Sequence, residues 1–281
     1  MKPAFRIMGV VNVTPDSFSD GGLYLEAEAA IAHGLELESE GAAILDVGGE
    51  STRPWSAPVP ADEERRRVLP VIEGLVSAGA RAQISVDTSK VAVARDALRA
   101  GATLVNDVTA FRGDPLMARL VAEAGVECCL MHMLGEPRTM QRDPQYGDVV
   151  SEVKAFLEER MAFALAEGIA EERIMLDPGI GFGKTREHNL ELLRRLDELV
   201  AIGRPVVIGT SRKSFLGGLT GRSDPGERLA GTIATNVLAL ARGAQVFRVH
   251  DVRAVNDALV VAAATVTAPW TTTMTPRSMT R

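Results

Sequence analysis

Eight short apolar runs alternate along this chain with stretches whose apolar residues recur at three- and four-residue spacing. The runs fall at residues 6–13, 42–49, 82–88, 103–108, 127–133, 173–179, 205–211 and 245–252. Nearly all-apolar strands separated by amphipathic helices, such as 27–41, 89–101, 114–125 and 186–203, predict a parallel sheet covered by helices. Two closures satisfy that order: an open doubly wound sheet and an eight-stranded (β/α) barrel. Eight units in about 265 residues match the size of one barrel, and no Pro/Gly/Ser-rich linker divides the 281 residues. The expectation is one α/β domain, a (β/α)8 TIM barrel over residues 1–267. Residues 268–281 lose the periodicity and read as a flexible tail.

Helix punctuation agrees. Gly41, Gly79, Gly101, Gly125, Gly168, Gly203 and Gly243 follow helical stretches as C-terminal stops. Asp114-Pro115 and Asp224-Pro225 place a capping residue before a proline, and Glu227 completes a capping-box spacing. Pro70, inside the α-helical pattern of residues 63–76, predicts a kink or a break.

The totals exclude several functions. With 31 basic and 37 acidic side chains the formal charge is −6, so no overall field gathers nucleic acid or anionic membrane, and any anion site must be local. The two cysteines, Cys128 and Cys129, are adjacent in an apolar run and read as buried core thiols. No apolar stretch reaches the length of a membrane span, and the N-terminal apolar run is too short for a signal peptide. A reduced, cytoplasmic setting is expected.

One motif invites a nucleotide reading. Residues 176–185, LDPGIGFGKT, end like a P-loop, but the first glycine of that motif falls at position 178, which is proline. Proline has no N–H for a phosphate cradle. The segment is better read as a backbone-rich loop at the end of a strand.

The chemistry gathers at the strand ends: Asn12, Glu50, Asp87, Asn106 with Asp107, His132, Asp177, Ser211 to Lys213, and Arg248 with His250. A barrel brings all such ends to one face, where active sites of this fold lie. Asp87, Asp177 and Asn106 suit a heterocycle with an amidine-like N–C–N edge, since a carboxylate accepts two parallel N–H groups. Arg53, Arg212, Lys213, Arg248 and His250 form a cationic set suited to phosphate oxygens. Asn12 offers a neutral oxygen of the kind Mg²⁺ accepts when phosphates complete its shell. Long loops at 13–22 and 48–64 are candidate lids.

The segments NVTPDSFSDGG (12–22), GGESTRP (48–54), SVDT (85–88), VNDV (105–108), LMHM (130–133), LDPGIGFGKT (176–185), SRKSFLG (211–217) and RVHDV (248–252) together resemble the dihydropteroate synthase family. The resemblance covers residues 6 to 265. It implies a (β/α)8 barrel, a homodimer, and condensation of p-aminobenzoate with 6-hydroxymethyl-7,8-dihydropterin diphosphate, releasing pyrophosphate with Mg²⁺ present. It makes the loop at 176–185 part of a pterin pocket.

By the same resemblance Asp87, Asn106, Asp177 and Lys213 contact the pterin, and Phe182 lies near both pterin and p-aminobenzoate. Asn12 is the metal ligand, and Arg248 and His250 anchor the pyrophosphate. Thr52, Arg53, Pro54 and Ser211 shape the p-aminobenzoate end. Asp87, Lys213, Arg248 and His250 are then the candidate catalytic set. One departure stands out: Trp55 replaces the glycine usual after STRP. It either packs on the loop or dimer surface, or alters the p-aminobenzoate pocket and with it sulfonamide affinity.

Some residues keep two readings. His132 is a core histidine or a ligand, Lys184 touches ligand or caps the next helix, and Glu50 orients Arg53 or meets substrate. Asp20 bonds within its own turn or closes on substrate, and His33 and His188 read as surface or packing residues. Two rivals share the barrel. Methyltetrahydrofolate–corrinoid methyltransferases resemble its pterin residues but are not expected to carry SRK and RVHDV together. A non-catalytic pterin-binding paralogue would not need Asn12, Lys213, Arg248 and His250 intact.

Overall fold

The computed structural model describes residues 5–13, 23–52 and 56–267. Its strands are β1 (Arg6–Asn12), β2 (Ile44–Gly48), β3 (Gln83–Asp87), β4 (Leu104–Asp107), β5 (Glu127–Met131), β6 (Ile174–Asp177), β7 (Val207–Ile208) and β8 (Val246–Val249). Each lies inside one of the predicted runs. They pair in parallel in the order β6-β5-β4-β3-β2-β1-β8-β7, and a bridge between Leu176 and Val206 joins the two ends. The sheet is therefore a ring, and the open doubly wound alternative is excluded.

The helices are α1 (Leu23–Ser39), α2 (Ala61–Ser77), α3 (Val91–Ala100), α4 (Met117–Ala124), α5 (Val149–Ala166), α6 (Arg186–Arg194), α7 (Leu196–Val200), α8 (Ser214–Thr220), α9 (Leu229–Ala241) and α10 (Val252–Thr267). All seven glycine stops adopt positive φ. Asp224 caps a short 3₁₀ turn, accepting from the Gly226 N–H at 2.8 Å. The helix α2 runs unbroken through Pro70. Val68, Val71, Ile72 and Leu75 are fully buried on its inner face, and that burial, roughly 1.5–3 kcal/mol each, outweighs the roughly 3 kcal/mol a mid-helix proline costs. No helix among the described residues is long and apolar enough to cross a membrane. The predicted tail, 268–281, lies outside the described residues, as do Asp20, Arg53, Pro54 and Trp55.

Two apolar layers hold the ring. The larger lies between strands and helices and includes Ile7, Leu45, Val47, Val86, Val105, Leu130 and Phe247. The smaller fills the ring itself: Met8, Ile44, Leu104, Cys129, Met175, Val207 and Val246. These two sets alternate along every strand but β3, which adds no residue to the inner set, as the two-residue period of a strand requires. The same period puts charged groups above and below the inner plug. Below it, Arg6 reaches Gln83 at 3.2 Å and Glu127 at 3.3 Å. Above it, toward the C-terminal ends of the strands, stand Asp46, Ser85, Asp87, Asn106, Asp177 and Arg248.

Candidate active site

Inward-facing strand positions build the site from its floor. Asp46 on β2 is fully buried and gathers three partners from three other strands. Its carboxylate accepts from Ser85 Oγ at 2.6 Å, Asn106 Nδ2 at 3.0 Å and Arg248 Nε at 2.7 Å. The Arg248 guanidinium then passes its Nη2 to Asp87 Oδ2 at 2.9 Å. One cation thus spans two buried carboxylates. Gly48, which pairs with Asp87 in the β2–β3 register, adds no side chain beside it.

The electrostatics follow from that ratio. Burial first, and then the charge of Asp46, pull Asp87 up to about 8 against the opposing pull of Arg248. Arg248 moves the other way: burial works against its charge, but Asp46 and Asp87 together carry it above its ordinary value. Burial draws Lys213 down to about 7, Asp177 opposing and Arg248 assisting. Asp177 is raised by burial while the Gly179 N–H, Lys213 and Arg248 hold it back. Arg248 thus acts on Asp87, Asp177 and Lys213 alike, and the four form a single neighbourhood.

The loop after β6 supplies the wall. Residues 179–183 read Gly-Ile-Gly-Phe-Gly, and all three glycines have positive φ. That alternation turns the carbonyls of Ile180, Gly181, Phe182 and Gly183 toward four different side chains. Lys213 Nζ donates to Ile180 O, Gln141 Nε2 to Gly181 O at 2.6 Å, Lys184 Nζ to Phe182 O at 3.0 Å and Tyr146 Oη to Gly183 O at 2.9 Å. Asp177 and Asn189 take the Gly179 and Gly181 N–H groups, both at 2.7 Å. Most of the loop's backbone polar groups thereby find partners without secondary structure. Lys213 Nζ also stands 4.3 Å from the centre of the Phe182 ring. Gly179→Ala is expected to lower stability by about 3 kcal/mol, since a Cβ there meets the His132 carbonyl oxygen at a left-handed φ. Thermal unfolding monitored by circular dichroism measures it.

On the far side, Ser211 Oγ and His250 Nδ1 are 2.9 Å apart, and the His250 N–H donates to Ser211 Oγ at 3.2 Å. Thr52 is half-buried beyond β2, and Asn12 is half-buried at the tip of β1. Asn12 pairs in register with Gly48. Among the described residues no group of three or more His, Cys, Asp or Glu is arranged to hold a metal.

Several sequence expectations resolve differently. Arg212, grouped with the phosphate-binding cations, is engaged by Asp251 through two bonds, at 3.0 and 2.5 Å. Asp107 faces outward and caps its own turn, accepting from the Thr109 and Phe111 N–H groups at 2.8 and 3.0 Å. Glu50 accepts the Val59 N–H at 2.9 Å and pairs with Lys90, which also meets Glu64 at 2.5 Å. His132 is a satisfied core histidine, its Nδ1 2.8 Å from Lys184 Nζ. Thr185, not Lys184, caps α6, with His188 as its reciprocal partner. Asp46 and Ser85 escaped the reading of strand ends because they lie inside strands, one period below the tips.

The pterin binding enzyme family model matches residues 8–250. A dihydropteroate synthase of Neisseria meningitidis serogroup B is 49% identical over 261 residues, 91% of each chain. Among solved structures, Xanthomonas albilineans dihydropteroate synthase with 4-aminobenzoic acid superposes at a TM-score of 0.88, with 51% identity and 94% of both chains covered. The same enzyme in complex with 7,8-dihydropteroate superposes at 0.85, with 49% identity and the same coverage.

Proposed function

The chain belongs to the pterin binding enzyme family, and on that premise we propose that it is a dihydropteroate synthase, condensing p-aminobenzoate with 6-hydroxymethyl-7,8-dihydropterin diphosphate to give 7,8-dihydropteroate and pyrophosphate. The observation that carries the reading is the shared guanidinium: Arg248 spans Asp46 and Asp87 at 2.7 and 2.9 Å, at the mouth of a barrel whose relatives bear that name.

The roles follow from what each group can donate or accept. Asp87, Asp177 and Asn106 offer the carboxylate and amide oxygens that an N–C–N edge of a pterin needs. Lys213 is held over Phe182, ready to meet a ring nitrogen or oxygen. The reaction breaks the methylene C–O bond, whose electron pair leaves with the diphosphate, and forms a C–N bond from the arylamine lone pair. The arylamine proton is then lost to solvent or pyrophosphate. Electron release from the pterin ring stabilises the methylene as it becomes cationic, and negative charge on Asp87 is assigned to help it. Arg248 and His250 stabilise charge on the departing diphosphate. A neutral arylamine attacks through its lone pair without a strong base.

Magnesium fits this donor set as the diphosphate's counter-ion. Asn12 supplies one neutral oxygen, and the described residues provide no acidic cage, so substrate oxygens and water would complete the shell. When bound, Mg²⁺ neutralises charge on the leaving group. Thr52, Arg53, Pro54 and Ser211 are assigned to the p-aminobenzoate end. We take the active form to be a homodimer, a reading supported by Leu238, Val260 and Val261, exposed on α9 and α10. A cytoplasmic location suits the free, buried Cys128 and Cys129.

The test is pyrophosphate release with both substrates, each alone and neither. Release that needs p-aminobenzoate and the pterin diphosphate together is expected. Release without p-aminobenzoate, or none at all, would refute the synthase and leave the methyltransferase-like or non-catalytic reading.

A further inference from the structure

Lys184 is the lysine of the P-loop-like run, and its surroundings are unusual for a lysine. The residue is 3% exposed, and no carboxylate among the described residues forms an ion pair with it. Its Nζ donates to Phe182 O at 3.0 Å and lies 2.8 Å from His132 Nδ1. His132 carries no compensating charge: burial, then the nearby Lys184 and Arg112, hold it down to about 2. A buried ammonium without a counter-ion is costly, and burial drives Lys184 well below its ordinary value, with Asp177 opposing. The amine is thus placed as a buried hydrogen-bond donor to its neighbours, with no anion paired to it among the described residues.

Its partners show what the donor does. Phe182 O is the third of four consecutive loop carbonyls that accept from side chains, and the Phe182 ring faces the Lys213 amine. On its other side Lys184 is backed by a row of rings. His132 packs edge-on against Phe156 at 4.8 Å and near Tyr146 at 6.1 Å, and Tyr146 packs edge-on against His188 at 4.9 Å. The amine therefore joins a rigid aromatic wall to the backbone of one loop residue.

We propose that Lys184 is a positioning residue that touches no substrate and acts through Phe182, fixing the wall against which p-aminobenzoate seats. The inference rests on the synthase reading for its substrate and on the loop geometry for the clamp. Two variants separate donor from charge. Lys184→Met fills the space but donates nothing; Lys184→Gln restores a neutral, shorter donor.

For Lys184→Met the KM for p-aminobenzoate is expected to rise about tenfold, with kcat and the KM for the pterin diphosphate within about threefold of wild type. Amide hydrogen exchange across residues 178–185 of the ligand-free protein should quicken about tenfold. Lys184→Gln should recover at least half of the KM change on a logarithmic scale, and it carries the comparison if Lys184→Met does not fold. A lowered melting temperature with unchanged KM and unchanged exchange would reduce Lys184 to a packing residue and overturn the proposal. A rise in the KM for the pterin diphosphate alone would overturn it too, because that marks a substrate contact. The exchange measurement uses no substrate, so it judges the clamp even where absent wild-type turnover has refuted the synthase.

Discussion

Asp87→Asn lowers kcat/KM for the pterin diphosphate by about 10²–10³-fold, the range found for removing one preorganised electrostatic contact to a transition state. The carboxylate is 9% exposed at the tip of β3, with one oxygen on Arg248. Asparagine keeps the volume but removes the negative charge and presents an N–H₂ group where the methylene turns cationic. Folding survives, because Arg248 keeps its Asp46 partner at 2.7 Å.

The pH dependence gives this expectation a second face. Asp87 stands at about 8 in the folded ligand-free protein, raised from 3.8 by burial and then by Asp46. The folded state therefore holds a proton that the unfolded chain has released, and the stability linked to it is fully present below 3.8 and lost as pH rises through about 8. The asparagine variant lacks this slope, so it should gain on wild type between pH 6 and 9 in thermal melts. Binding has the opposite sign. A carboxylate that accepts two N–H groups must first lose its proton, so the affinity of wild type for the pterin should rise from pH 6 to 8 relative to that of the variant, in which only the Lys213 amine, drawn down to about 7, still titrates across this window. Calorimetric titration at three pH values reads both. A flat wild-type profile, or turnover in the variant equal to wild type, removes Asp87 from the role.

Local pattern carried the fold a long way because strands, helices and their stops each leave a mark of fixed period. All eight strands fall in the runs where apolar residues cluster, and the tips Asp87, Asn106, Asp177 and Arg248 meet above one inner plug. The period of two also carried a signal for Ser85, and with the strand pairing for Asp46, that the reading of strand ends passed over. Counting back from Asp87 gives Ser85 on the same face, and the pairing of β2 with β3 sets Asp46 beside Ser85. By the same count Asp107, next to Asn106, had to face the helices.

Partners chosen across long sequence gaps left no such mark. Nothing near Arg212 announces Asp251 as its acceptor, 39 positions away. Nothing near Lys184 announces His132, 52 positions away. Side chains of this length reach groups that only the closed ring brings near. Charge type is legible in sequence, but its destination is set by topology.

Arg248→Met should damage stability and turnover together. It leaves Asp46 and Asp87 without the cation they share, and breaking a buried pair by removing one partner costs about 3–5 kcal/mol. The arginine side chain is 24% exposed, so water relieves part of that and the low end, about 3 kcal/mol, is expected in denaturant titration. Turnover should fall about 10³-fold, since the same guanidinium is assigned to the departing diphosphate. The two losses have different origins and can be separated. Adding Asp46→Asn removes one of the stranded carboxylates and should return more than half of the lost stability, while turnover stays at the level of the single variant. Non-additivity of that sign is the signature of two groups in one network. If Arg248→Met unfolds at the wild-type denaturant concentration, or the double variant is the sum of its parts, the guanidinium does not hold the two carboxylates together and the floor of the site must be rebuilt around another cation.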